Sequence, residues 1–221
     1  MITGTAAAFL AYSFFSSPGA VSFDNLKPGT FPAGWTATST GPSEPSRWMI
    51  WRDESAPSRP NVFAQTSGAA SNSEYPLAVF DKVICRDGDL SVKFRISSNA
   101  RSMKAAGLIW RYQDPRSYYL LQFSVDERNI GLYRVQNGQL RPIPVMVHGR
   151  RSDTGVPHDL RVNQWYAAKV IFRGKVIHVL FGNRQLFDAM DDSLTSPGKT
   201  GLWTRGGTVA SFDDFRIDRK G

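Results

Sequence analysis

Asp89-Leu90-Ser91-Val92-Lys93-Phe94-Arg95-Ile96-Ser97 is the stretch on which the reading of this chain turns. Leu90, Val92, Phe94 and Ile96 recur at every second position, with Ser91, Lys93, Arg95 and Ser97 between them. Period two is the spacing of a strand with one dry and one wet face. The same alternation continues downstream: after Ala106 to Tyr112 and a turn at Pro115-Arg116, Tyr119, Leu121, Phe123 and Val125 alternate with Tyr118, Leu120, Gln122 and Ser124. We assign the first set to the core. Asp126 to Asn129 then connects to Ile130 to Gln136, and Asn137-Gly138 supplies the positive φ angles of a type I′ hairpin before Gln139 to Val145.

Working outward, Trp165 to Phe172 and Val176 to Phe181 flank Arg173-Gly174-Lys175, and Gly182-Asn183 turns the chain into Gln185 to Asp188. Gly201 to Arg205 and Ser211 to Ile217 follow, around Gly206-Gly207. Upstream, Pro and Gly break the text into shorter pieces, with strands expected at Val21 to Leu26, Trp48 to Arg52, Asn61 to Thr66 and Leu77 to Phe80. No helical period separates these strands, so parallel crossover units are excluded. An all-β, two-sheet antiparallel jelly-roll sandwich is the economical solution. With 12% aromatic residues, 19 Gly and 13 Pro in 221 residues, the composition agrees. One domain over residues 21–218 is expected.

Residues 1–20 read differently. Ala6 to Phe15 is an apolar run followed by Ser16, Ser17, Pro18, Gly19 and Ala20, but no Lys or Arg precedes it. It reads as a secretory leader without its basic region, and so as a secreted or periplasmic protein; a mistaken start or a first strand packed on the sandwich is the alternative. No other segment has membrane-spanning length. A lone Cys85 excludes an internal disulfide, and no Cys/His spacing suits zinc. The 27 basic residues outnumber the 19 acidic ones, giving +8, yet most are scattered singly; they read as solvated surface, with Arg141 to Arg151 and Arg216 to Lys220 the densest groups. Nucleic acid is not expected as a partner.

Ser22-Phe23-Asp24-Asn25-Leu26, Gly107-Leu108-Ile109-Trp110-Arg111-Tyr112-Gln113-Asp114 with Tyr118-Tyr119 and Gln122, Trp165-Tyr166, Gly201-Leu202-Trp203-Thr204 and Phe212-Asp213-Asp214-Phe215 together carry a resemblance. They resemble the concanavalin A-like lectin/glucanase superfamily, near its laminin-G-like modules and the 3-keto-disaccharide hydrolase (family-16-like) domains. The resemblance spans Ser22 to Ile217. It implies a concave sheet face on which sugar lies, with Arg111 and Gln122 at positions of the hydrolase-like pattern. Leu120 stands where that pattern has a Glu, and the E-x-D-x-x-E signature of the glucanases is absent.

Ring stacking on a pyranose, with amide or guanidinium groups on its hydroxyls, makes Trp110, Arg111, Tyr118, Gln122, Trp203 and Arg205 the candidates for an oligo- or polysaccharide. Alternation divides them: Arg111, Tyr118 and Gln122 are expected outward and Trp110 in the core. Trp48 and Trp51 are the tryptophans expected to be exposed. Glycoside hydrolysis needs two facing carboxyl groups about 5 to 9 Å apart, and no strand carries both. Asp126-Glu127 and Asp191-Asp192 read as turn residues. Should the first and last strands be neighbours, Asp24 and Asp213 could share a structural Ca²⁺, an ion that takes several hard oxygens and that such relatives hold at the sandwich edge. His148, His158 and His178 share no ligand spacing. Three functions remain open: a lectin-like carbohydrate-binding module, a hydrolase of (3-keto-)glycosides, and a laminin-G-like domain for protein or anionic glycan.

Overall fold

The computed structural model describes residues 20–41, 46–67, 75–98 and 103–220; the leader-like segment expected at 1–20 otherwise lies outside them. Its strands in chain order are β1 (Ala20–Val21), β2 (Trp35–Thr40), β3 (Trp48–Arg52), β4 (Asn61–Gln65), β5 (Tyr75–Cys85) and β6 (Asp87–Ile96). Next come β7 (Ala105–Asp114), β8 (Ser117–Ser124), β9 (Asn129–Gln136), β10 (Gln139–Pro142), β11 (Val145–Val147) and β12 (Arg150–Ser152). The chain continues with β13 (Val156–Pro157), β14 (Trp165–Arg173), β15 (Val176–Phe181), β16 (Arg184–Met190), β17 (Gly198–Thr204) and β18 (Ala210–Lys220). One sheet runs β12-β11-β16-β15-β14-β6-β18-β4-β3, with β1 on β18; the other runs β10-β9-β8-β7-β17-β5-β2, with β13 on β9. Neighbours are antiparallel throughout, and the two layers form the expected jelly-roll sandwich.

The core between the layers is the one the alternation assigns. Leu90, Val92, Phe94 and Ile96 of β6 pack with Leu108, Trp110, Tyr119, Leu121 and Phe123, and the Phe94 and Phe123 rings stack at 4.3 Å. Asn137 (φ 55) and Gly138 (φ 78) make the anticipated hairpin turn. Several elements depart from expectation. Ser22 to Leu26 is a turn, with Leu26 N–H donating to the Phe23 carbonyl at 3.1 Å, so the first strand stops at Val21. Gln139 to Val145 is broken at Ile143-Pro144, because Pro144 cannot donate to a ladder; β10 stays in one sheet and β11 joins the other. The dense basic group Arg141 to Arg151, where no strand beyond Val145 is expected, enters the β11–β12 hairpin, turning through His148 (φ 47) and Gly149 (φ 80).

A second apolar cluster lies on the outer face of the eight-stranded sheet: Leu77, Val79, Ile109, Tyr118, Leu120, Val135 and Trp203, none more than 1% exposed. Curvature explains their burial. β2 and β8 lie four places apart in the sheet order, which is about 19 Å on a flat sheet at about 4.8 Å per strand. Yet the Thr40 and Tyr118 hydroxyls meet at 2.8 Å, and Thr40 Oγ1 donates to the Pro115 carbonyl at 2.5 Å. The sheet rolls until its corner at the end of β2 touches the β7–β8 turn, and the trough between is filled by its own side chains.

Candidate functional site

Of the six sugar-binding candidates, the structure brings Gln122 and Arg205 together on Glu127. Gln122 Nε2 donates to Glu127 Oε2 at 3.1 Å and Arg205 Nη1 to Glu127 Oε1 at 3.2 Å. Gln122 is on β8, Arg205 just beyond β17, and Glu127 in the β8–β9 turn, where its own N–H donates to Ser124 Oγ. The turn therefore does more than reverse the chain: it carries a half-exposed carboxylate with one oxygen held by an amide and the other by a guanidinium. Sequence reading placed Asp126-Glu127 in the turn for its own sake and missed this role. The three-residue step from Ser124 to Glu127, beside an outward-facing Gln122, is the signal that was present.

Tyr133 completes the group. Its ring lies over Gly131, where a Cβ would come within 2.6 Å of the ring, and Gly131 is the register partner of Gln122. Burial, and next the charge of Glu127, push the Tyr133 phenol above its ordinary value, opposed by Arg205. Glu127, Arg128, Asn129, Tyr133, Thr154 and Pro157 line an open pocket of about 510 Å³ at this mouth of the rolled sheet. Arg205 Nε is buried without a hydrogen-bond partner among the described residues.

Three expectations are corrected. Arg111 does not face outward: it sits at φ 48 in a bulge between Trp110 and Asp114, and the extra residue turns its side chain into the end of the sandwich. There it is 1% exposed. Its Nε donates to the Arg86 carbonyl (2.9 Å), Nη1 to that of Leu194 (2.9 Å) and Nη2 to that of Gly174 (2.5 Å), with Asp87 Oδ1 at 3.4 Å. Tyr118 and Trp203 do face outward, but the rolling of the sheet leaves both 0% exposed. Trp110 is in the core as expected. Trp51 is exposed, whereas Trp48 is buried at 4% against Phe63 and Phe212.

A further carboxylate expected in a turn holds more than the turn. Asp191 accepts from the Tyr119 hydroxyl at 2.6 Å and from Arg134 Nη1 at 2.5 Å as well as from Ser193 N–H. Burial alone would raise its pKa, but the Tyr119 and Ser193 hydrogen bonds and the Arg134 charge outweigh it and hold the carboxyl below the ordinary range. Asp24 and Asp213 meet at Ser58, whose hydroxyl donates to Asp24 Oδ2 (2.6 Å) and whose N–H donates to Asp213 Oδ2 (2.7 Å). β18 lies inside its sheet between β6 and β4 rather than at an edge, so the pair is covered by the β3–β4 connection. Asp213 is 2% exposed, and its carboxyl is raised to about 6, by burial first and then by Asp214 and Asp24, against the N–H groups of Ser58 and Asp214. Beside them Asn61 donates its amide to the Asp24 and Leu26 carbonyls and leaves Oδ1 buried without a partner among the described residues. Two carboxylates and an orphaned amide oxygen are donors of the kind a hard cation takes. No group of three or more His, Cys, Asp or Glu that could hold a metal occurs among the described residues.

No family model and no curated protein matches the chain. Solved structures do. The carbohydrate binding module CBM66 from Bacillus subtilis superposes with a TM-score of 0.59 at 18% identity, covering 84% of this chain and 95% of that one. The xylan beta-1,4-xylosidase from Bacillus halodurans C-125 gives 0.59 at 18% identity over 97% of this chain, which spans 42% of that enzyme. The Bacillus licheniformis beta-glucanase gives 0.53 at 12% identity, with 93% and 100% covered. The fold these likenesses define is the concanavalin A-like jelly roll.

Proposed function

We propose that this chain is a secreted or periplasmic carbohydrate-binding module that takes a sugar unit at the mouth formed by Glu127, Arg205, Gln122 and Tyr133. The observation that carries the reading is the preset carboxylate. A Glu held at both oxygens by Gln122 and Arg205, beside a half-buried tyrosine ring and an open pocket, offers acceptors and donors for vicinal hydroxyls and an aromatic surface for the ring C–H groups. Jelly-roll neighbours that include a carbohydrate-binding module and two glycan-acting enzymes support it. Glycoside hydrolysis, 3-keto-glycosides included, is less well supported: the two side chains that hold Glu127 are an amide and a guanidinium. Leu120, where the hydrolase resemblance sets a Glu, is fully buried in the outer-face cluster.

Affinity electrophoresis against a panel of polysaccharides tests the reading. Glu127→Gln and Tyr133→Ala should each weaken retention by at least about tenfold, the scale of a central contact at a small interface, with unchanged unfolding midpoints. Undiminished retention of both variants would overturn the site. A structural Ca²⁺ held by Asp24 and Asp213 belongs to the same proposal; its support is the partly buried set of oxygens of Asp24, Asp213 and Asn61.

A further inference from the structure

The geometry points to an acidic glycan as the ligand, its neutral part on Tyr133 and Glu127 and its carboxylate or sulfate on Arg150 and Arg151 across the β13 wall; this rests on the site proposed above. The pocket at Glu127 and Tyr133 does not end at Pro157. That residue also lines a second pocket of about 390 Å³, bounded by Val147, His148, Arg150, Arg151 and Gly155. The wall between the two is the 154–157 segment, fixed to the first site by Asn129 Nδ2 donating to the Thr154 carbonyl (2.5 Å) and by the Val156↔Ile130 pairing. It is fixed to the second by the Ser152 hydroxyl donating to the Gly155 carbonyl (2.6 Å). The two pockets thus stand on either side of one short wall and share Pro157.

The second pocket is lined by two arginines and by no carboxylate. In the groove between β6 and β14 the cations are matched by carboxylates: Lys93 by Asp214, Lys169 by Asp89 and Arg216 by Asp218. Around the β11–β12 hairpin the match is incomplete. Arg151 pairs with Asp153, while in the neighbouring segment Arg128 and Arg161 share Asp159. Arg150, exposed at the pocket rim, has no ion-pair or hydrogen-bond partner for its side chain among the described residues. The pairs that do form are more than half exposed at both ends, a setting in which an ion pair contributes little and its guanidinium is readily taken over by another anion. Arginine also matches carboxylate and sulfate with two parallel N–H donors. The side-by-side placement of a sugar-type pocket and an unmatched arginine pocket selects a polymer that carries both features.

The test pairs each of four acidic polymers (polygalacturonate, alginate, hyaluronan and dermatan sulfate) with its carboxyl-reduced or desulfated form, measured by biolayer interferometry in 50 and 500 mM NaCl. The expected result is one pair in which the acidic member binds at least about tenfold more tightly at the lower salt, with the advantage shrinking at the higher. In Arg150→Ala/Arg151→Ala the acidic member should fall to the affinity of its neutral partner, whereas Tyr133→Ala should weaken both members alike. Equal binding of acidic and neutral members, an advantage that survives the double substitution, or equally tight binding of duplex DNA would overturn the acidic-glycan inference while leaving the sugar site standing. Binding of no polymer in either form would overturn the sugar site, and this inference with it.

Discussion

Arg111 holds three backbone carbonyls from three separate segments, at Arg86, Gly174 and Leu194, so its removal strands three buried acceptors at once. Arg111→Ala should destabilise the protein by about 3 to 5 kcal/mol in urea denaturation, the scale of breaking a buried charged network, while any folded fraction keeps its glycan affinity. A loss of affinity without loss of stability would return Arg111 to the binding site. Alternation alone could not have located this side chain, since a bulge adds a residue that a two-residue period does not count. The positive φ at Arg111 has no sequence signature, because arginine has no particular preference for that region. Gln122 and Arg205 were legible as outward polar groups; Glu127 was hidden by its turn, where an acidic residue ordinarily needs no further explanation.

At the scale of elements, the two contacts that close the molecule make separate predictions. Thr40, at the end of β2, bonds the Pro115 carbonyl and the Tyr118 hydroxyl. Thr40→Val keeps the shape but removes both hydrogen bonds, a cost of about 1 to 3 kcal/mol, readable as a lowered denaturation midpoint. An unchanged midpoint would mean that the rolled sheet is not latched there. The segment between β16 and β17 is tied down by Asp191, a carboxyl depressed in the folded state below the ordinary 3.8. Its contribution to stability is complete above the unfolded value and is lost as the pH falls through 3.8 toward the folded value. Asp191→Asn should flatten the acid limb of the stability profile below about pH 4; a limb as steep as that of the parent would contradict the assignment. Strands with strong alternation, β6, β8 and β14, were legible nearly to the residue. β2 was not, because its Thr-rich text Trp35-Thr36-Ala37-Thr38-Ser39-Thr40 shows no clear dry face and acquires its place only by pairing with β5. The filling of the trough was invisible for a related reason: curvature follows from contacts between residues far apart in the chain.

For the whole molecule, the cation proposal is a stability statement. An ion that binds the folded chain alone stabilises it in proportion to the logarithm of its concentration over the dissociation constant. Millimolar Ca²⁺ should thus raise the unfolding temperature of the EDTA-treated protein by several degrees, about 2.7 kcal/mol at a hundredfold excess over that constant. Asp213→Asn should abolish the shift. Indifference of the parent protein to Ca²⁺ would remove the ion from the account. The net charge of +8, read from the sequence as mostly scattered, is locally unbalanced at the β11–β12 hairpin, where Arg150 and Arg151 line a pocket that holds no carboxylate. The central claim is that ligand enters at the mouth beside Glu127 and not along the middle of the sheet. Titration of isotope-labelled protein with a retained polysaccharide, followed by amide chemical shifts, tests it most directly. Shifts concentrated at Gln122 to Tyr133, Thr154 to Pro157 and Arg205 are the predicted result, and shifts centred on Trp51 or another remote surface, with that mouth silent, would contradict it.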